Sequence, residues 1–263
     1  MTSTRSSVQD HAGEEAYKHR NALDEIGIYC LSYNNPDRRE RIRHKFESQG
    51  LQISFYGGVS PADPRIQGRP IEPNIQRAWS IMYGHLDMLS IFLKSGKEYG
   101  IFCEDDILVR KDFGSHLTRI VGHFNEMRLD VVLLGCLCSN PNFYKYSNFP
   151  ERRISDYSTH PFRYYAYDSN PASAVWGTQM YLLHRSHAAF LLEKYSDGYA
   201  DRTIEDKSLV HFSADWTITK EGEKAIIHPL IAIENAEAEY EDEYQGSCRR
   251  KCYKLFYSEE LFL

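Results

Sequence analysis

The stretch Tyr99-Gly100-Ile101-Phe102-Cys103-Glu104-Asp105-Asp106-Ile107 decides how this chain is read. An apolar strand ends abruptly in three carboxylates. Three adjacent acids repel one another, and removing them from water is expensive unless a positive charge neutralises them. At the carboxyl end of a strand in an open α/β sheet, side chains point into the crevice where ligands bind. A divalent cation carrying phosphate oxygens is the natural partner there, and oxygen donors suit hard ions such as Mg²⁺ or Mn²⁺. The same residues also read as a solvated acidic turn after a buried strand.

Upstream of this strand, Ile26 to Leu31 is a short apolar run of the central-strand kind. A polar loop, Ser32 to Asp37, carries the turn signal Asn34-Asn35-Pro36. Asp37 is placed to cap a helix running to about Gln49, with Gly50 as its stop, and Leu51 to Phe55 reads as a second strand. Strand, helix, strand makes a parallel βαβ unit with a right-handed crossover. A helix over Ile75–Ser95 presents a broad apolar face and stops at Gly96. Downstream, a helix is expected over Phe113–Asn125 and a buried strand over Asp130–Gly135. Residues 139–173, rich in Tyr, Pro, Asn and Arg, read as a functional loop. A strand over Val175–Leu183, a helix over Ser186–Tyr195, a short helix at Asp215-Trp216 and a late strand over Ile226–Ile233 complete the pattern. The expected organisation is a disordered arm over residues 1–24, one domain over 25–235, and a tail over 236–263 that is acidic and then basic and aromatic.

A chain of 263 residues can bury a full core. Its net charge of −6, with no basic stripe, disfavours a nucleic-acid backbone as the main partner. The six cysteines form no zinc pattern and read as reduced thiols. No apolar run approaches the ~20 residues of a membrane span, and the first 25 residues lack the apolar core of a signal peptide, so a cytoplasmic location is expected.

Several segments in order carry a resemblance: Leu31 to Arg39, Gly84-His85 on a helix, apolar-Glu104-Asp105-Asp106, Gly177-Thr178-Gln179-Met180-Tyr181-Leu182-Leu183, Ala214-Asp215-Trp216 and Pro229-Leu230-Ile231-Ala232. Over residues 26–235 the chain resembles the family-25 glycosyltransferases, the lipooligosaccharide and collagen galactosyltransferases. Where the family helix commonly reads Ser-His, this chain has Gly84-His85. The resemblance implies a GT-A-type, Rossmann-like nucleotide-sugar-binding α/β sandwich, with a mostly parallel central sheet flanked by helices. It implies transfer of a sugar from a nucleotide-sugar donor, usually a UDP-sugar, with Mn²⁺ or Mg²⁺, to a hydroxyl of a glycan or glycoprotein acceptor, generally with inversion.

Within that frame Asp106 and Glu104 are the metal candidates, because alternate residues of a strand share a face, while Asp105 meets the ribose or a backbone amide. A helix cap before Phe113 is the other reading of Asp106. Asp215 is the general-base candidate, since an inverting transfer needs one carboxylate beside the acceptor hydroxyl. It reads equally as a helix N-cap before Thr217. The resemblance offers His228 as a late metal ligand, and His85 as a donor-phosphate or packing residue. Leu31 ends the first strand, and Tyr33, Asn34 and Arg38 follow it, where a nucleotide-binding sheet covers base and ribose. Gly58 lets the backbone approach the base, or simply turns the chain. Two other classes are weighed. A haloacid-dehalogenase-type phosphatase needs Asp where Glu104 stands. A catalytically silent, glycosyltransferase-like scaffold would keep partner binding after loss of Asp106.

Overall fold

The computed structural model describes residues 23–138, 149–156, 158–167, 175–235 and 243–263. The expected arm over residues 1–24, except 23–24, and most of the acidic stretch 237–244 lie outside the described residues, as do parts of 139–173.

The first named elements among the described residues are strand β1 (Ile26–Leu31), helix α1 (Pro36–Glu47) and strand β2 (Ser54–Tyr56). These are followed by helix α2 (Pro73–Ser95) and strand β3 (Tyr99–Glu104). Both β2 and β3 pair in parallel with β1, one on each side. The chain therefore leaves β1 in one direction for β2 and returns on the other side for β3. That reversal is a topological switch point, the place where open α/β sheets bind ligands outside the carboxyl ends of their strands.

Each of β1 and β3 buries both faces, which explains their uninterrupted apolar runs. Tyr29, Leu31 and Phe102 face one core with α2, whereas Ile28, Cys30, Ile101 and Cys103 face a second core with Ile42 and Phe46 of α1. Helix α1 starts two residues earlier than expected. Asn35 caps it by accepting from the Arg38 N–H (3.0 Å), and Pro36 occupies the first turn, where a missing N–H costs nothing. Asp37 is thereby freed of a capping role. Helix α2 ends at Gly96, whose φ of +76° is the left-handed conformation that glycine adopts without a Cβ penalty.

The remaining elements are β4 (Ile107–Val109), α3 (Phe113–Glu126), β5 (Val131–Cys138), β6 (Glu151–Arg152), β7 (Arg163–Ala166), β8 (Val175–His184), α4 (Arg185–Tyr195), α5 (Tyr199–Glu205), α6 (Ala214–Thr217), β9 (Lys224–His228), β10 (Ala232–Glu234) and α7 (Glu243–Phe256). Eight strands form one sheet in the order β2-β1-β3-β8-β5-β9-β7-β6, and β10 with β4 forms a small second sheet. The α/β sandwich expected from the sequence is present, with a mixed sheet. The β2-β1-β3 group and the β5-β9 pair are parallel, while β8 runs antiparallel between β3 and β5. The late strand expected over Ile226–Ile233 is divided at His228-Pro229, with β9 in the large sheet and β10 in the small one.

Three details prepare the site. Tyr29, Phe102 and Tyr181 stack across neighbouring strands at 5.4 and 5.3 Å. Gly84 brings α2 against the end of β1, since a Cβ there would lie 2.9 Å from Leu31 Cδ1. The β6–β7 arm docks on α3 through histidines: His160 lies 4.3 Å from His123, which contacts the Tyr164 hydroxyl (3.0 Å) and Asp156 (2.8 Å).

Candidate functional site

The acidic triplet does not continue the alternation of the strand. Strand β3 ends at Glu104, and Asp105-Asp106 form the turn into β4. The three carboxylates consequently take different partners. Asp105 accepts from the Ser32 hydroxyl at 2.7 Å and lies 3.4 Å from Arg38. Asp106 lies 3.7 Å from the same guanidinium. Glu104 meets the Thr178 hydroxyl oxygen of β8, 2.9 Å away, while its charge still reaches Asp106. Asp106 caps no helix, because Asp112 holds the N-cap position of α3.

A pocket opens at this turn. Arg38, Arg41 and Lys45 contribute from α1, and Asp105, Asp106, Ile107 and Asn235 complete the lining. The spacing of the three cations, three and four residues apart, puts them on one helical face. Lys45 also donates to the Ile107 carbonyl at 2.9 Å, which fixes α1 to the turn. Asp106 Oδ1 is buried and has no hydrogen-bond partner. Burial, together with the charges of Glu234 and Glu104, holds the Asp106 carboxyl well above the usual carboxylate range.

Behind the turn lies a second group of polar side chains. Thr178 Oγ1 is within reach of both Glu104 (2.9 Å) and Asp215 (3.1 Å). One hydroxyl carries one proton, so it can donate to only one carboxylate at a time. Burial, with the charge of Glu104 beside it, raises the Asp215 carboxyl above its ordinary value. Burial acts to raise Glu104 as well. His85, Thr178 and Arg249 outweigh it and hold that carboxyl below its ordinary value. His85 is fully buried, its Nδ1 is 2.8 Å from the Tyr181 hydroxyl, and its Nε2 is 3.8 Å from Glu104, an electrostatic contact beyond hydrogen-bond length. Asp215 stands in the first turn of α6, whose N-cap is Ser213, so its side chain is free to meet Thr178.

The sequence-derived candidates fall into three groups. Arg38, Asp105 and Asp106 meet at the pocket, and Glu104 and Asp215 meet at Thr178. Tyr33, 47% exposed, lies against Gly58, where a Cβ would come 3.1 Å from that of Tyr33; Gly58 has φ +74° and Asn34 has φ +48°. Leu31 belongs to the core and packs on Gly84, and His85 lies beneath the site. His228 sits at the end of β9 with its ring beside Tyr165 and Phe256. Among the described residues, no three His, Cys, Asp or Glu side chains come together in a metal-binding group.

Sequence reasoning gave no site role to Ser32, Arg41, Lys45 or Glu234; it carried Thr178 only within the Gly177–Leu183 segment and Arg249 only within the basic run of the tail. The 38/41/45 spacing was a readable signal. Nothing local marks Glu234, 5% exposed, or Arg249, whose Nε lies 2.7 Å from the Glu234 carboxylate.

No protein-family profile matches the chain. No curated protein matches it either. Among solved structures, one similar chain is described as a glycosyltransferase involved in the glycosylation of the major capsid of PBCV-1. It is 8% identical, the match covers 90% of this chain and 92% of that one, and the TM-score is 0.41. No helix among the described residues is long and apolar enough to cross a membrane.

Proposed function

We propose that the protein is a glycosyltransferase that moves a hexose from a nucleotide-sugar donor, UDP-linked, to a hydroxyl of a glycan or glycoprotein, with Mn²⁺ or Mg²⁺ and with inversion. The observation that carries this reading is the mixed-charge pocket at the β1/β3 switch point. Two carboxylates and three basic side chains face the same space there. A purely acidic turn would repel a diphosphate, and a purely basic one would have no use for a divalent cation.

The residues fit such a cation. The donor set is all oxygen, and Asp106 keeps a buried carboxylate oxygen without a hydrogen-bond partner. A hard cation bound by one or two carboxylates takes its other ligands from water and substrate phosphates, so a three-residue protein cage is not required. When bound, the metal neutralises charge on the departing diphosphate.

The chain's own residues account for the rest. Arg38, Arg41 and Lys45 receive the diphosphate oxygens. Tyr33, exposed beside Gly58, offers its ring to the base. Asp215, partly exposed and made more basic by its surroundings, accepts the proton of the acceptor hydroxyl. The new carbon–oxygen bond forms as the bond from the anomeric carbon to the diphosphate breaks, and the diphosphate leaves on the opposite face. Thr178 holds Asp215 when its hydroxyl donates to that carboxylate, and Glu104 competes for the same proton.

Calorimetric titration of UDP into the protein, with and without Mn²⁺, tests the reading. Binding that depends on Mn²⁺ and is lost in Asp106→Ala is the expected result. Absence of UDP binding under both conditions contradicts it.

A further inference from the structure

The run Arg249-Arg250-Lys251 is not a uniform basic patch. Arg250 and Lys251 are exposed, while Arg249 turns inward beside the buried Cys248 and Cys252. Cys248, Cys252 and the partly buried Tyr253 and Phe256 share the face of α7 that packs on β5 and β10. Helical periodicity thus delivers one guanidinium to the interior and leaves its two neighbours in water.

The interior position it reaches is the acidic site. Arg249 pairs at 2.7 Å with Glu234, whose side chain is 3% exposed. Glu234 lies opposite Ile107 in the β10–β4 pair, and the next residue, Asn235, donates its N–H to the Asp106 carbonyl at 2.8 Å. The charge of Glu234 is felt at Asp106, and that of Arg249 at Glu104. Five carboxylates, Glu104, Asp105, Asp106, Asp215 and Glu234, therefore occupy one region. Arg38 enters it from α1 and Arg249 from the far end of the chain.

We propose that Arg249 is a positioning residue of this site, whose charge, brought in by the C-terminal helix, sets the balance between cation and diphosphate binding in the Asp105–Asp106 pocket. The proposal rests on the glycosyltransferase reading. An uncompensated Glu234 makes the pocket more negative, which attracts a divalent cation and repels a diphosphate. A compensated one does the reverse.

The test is calorimetry with two probes on the full chain, Mn²⁺ alone and UDP at saturating Mn²⁺. In Arg249→Gln, Mn²⁺ binding tightens and UDP binding weakens, each by about fivefold. In Glu234→Gln the two shifts reverse sign. The double variant returns both affinities close to those of the unchanged protein. A pair that only glues α7 to the sheet gives a different result: both affinities fall together or neither moves, and that overturns the proposal. If Arg249→Gln does not fold, the reversed signs in Glu234→Gln decide alone. Failure of the unchanged chain to bind either probe overturns the glycosyltransferase reading itself.

Discussion

Ser32 donates its hydroxyl to Asp105 across 2.7 Å, and this bond ties the carboxyl end of β1 to the turn that follows β3. Ser32 is fully buried, so Asp105 is held by a group that water does not replace. Ser32→Ala leaves the Asp105 carboxylate short of a partner. The expected loss of unfolding free energy is about 2 kcal/mol, read from urea denaturation. UDP affinity falls with it, because Arg38 then holds Asp105 alone.

Thr178 stands between Glu104 and Asp215, and its two distances make separate predictions for its neighbours. Asp215→Asn removes the proton acceptor and keeps the shape. Turnover drops by about 10²–10⁴-fold while UDP binding is retained. Thr178→Val removes the shared hydroxyl from between two carboxylates. It lowers stability by about 1–3 kcal/mol and lowers turnover together with it. A turnover unchanged in Asp215→Asn would remove that residue from the chemistry.

Gly135 of β5 allows a close approach to the strand that carries Glu234. A Cβ at Gly135 would come 2.7 Å from the Ala232 carbonyl oxygen, a backbone atom that cannot swing aside. Gly135→Ala is expected to cost about 1–3 kcal/mol in chemical denaturation. It should also weaken Mn²⁺ and UDP binding through the displaced β10.

The docking of the β6–β7 arm is expected to weaken as pH falls. Burial and the neighbouring His123 lower His160 from 6.5 to about 4, and Asp156, Arg119 and His116 also face it. The folded protein therefore keeps His160 neutral in a range where the unfolded chain takes up a proton. This contribution to stability is complete above pH 6.5 and is lost as pH falls from 6.5 towards 4. His160→Gln flattens the fall of melting temperature across that window, read by thermal denaturation at fixed ionic strength. A slope identical to that of the unchanged protein contradicts the assignment.

The parts of the fold legible in the sequence were those set by local rules. The apolar run 99–103 ended in acids, the 3.6-residue periodicity marked α2, and Gly96 stopped it. The short helix at Asp215 was also visible, since Asp in a first turn is a local signal. What the sequence could not show was direction and distance. The strand over Val175–Leu183 was readable, but not its antiparallel insertion between β3 and β5, which puts Thr178 beside Glu104. The alternation rule joined Glu104 with Asp106. The strand stops at Glu104 and the next two residues turn, so the two carboxylates take different partners. Arg249 and Glu234, 15 residues apart, meet only because α7 folds back on β10.

The most direct test of the central claim is nucleotide release from a panel of donors with Mn²⁺ and with chelator: UDP-galactose, UDP-glucose, UDP-N-acetylglucosamine, UDP-xylose, and GDP- and CMP-sugars. Asp106→Ala is run in parallel. The account predicts slow hydrolysis of one UDP-sugar, abolished by chelator and by the substitution. Hydrolysis that persists in Asp106→Ala, or no hydrolysis of any donor together with no binding of UDP, contradicts it.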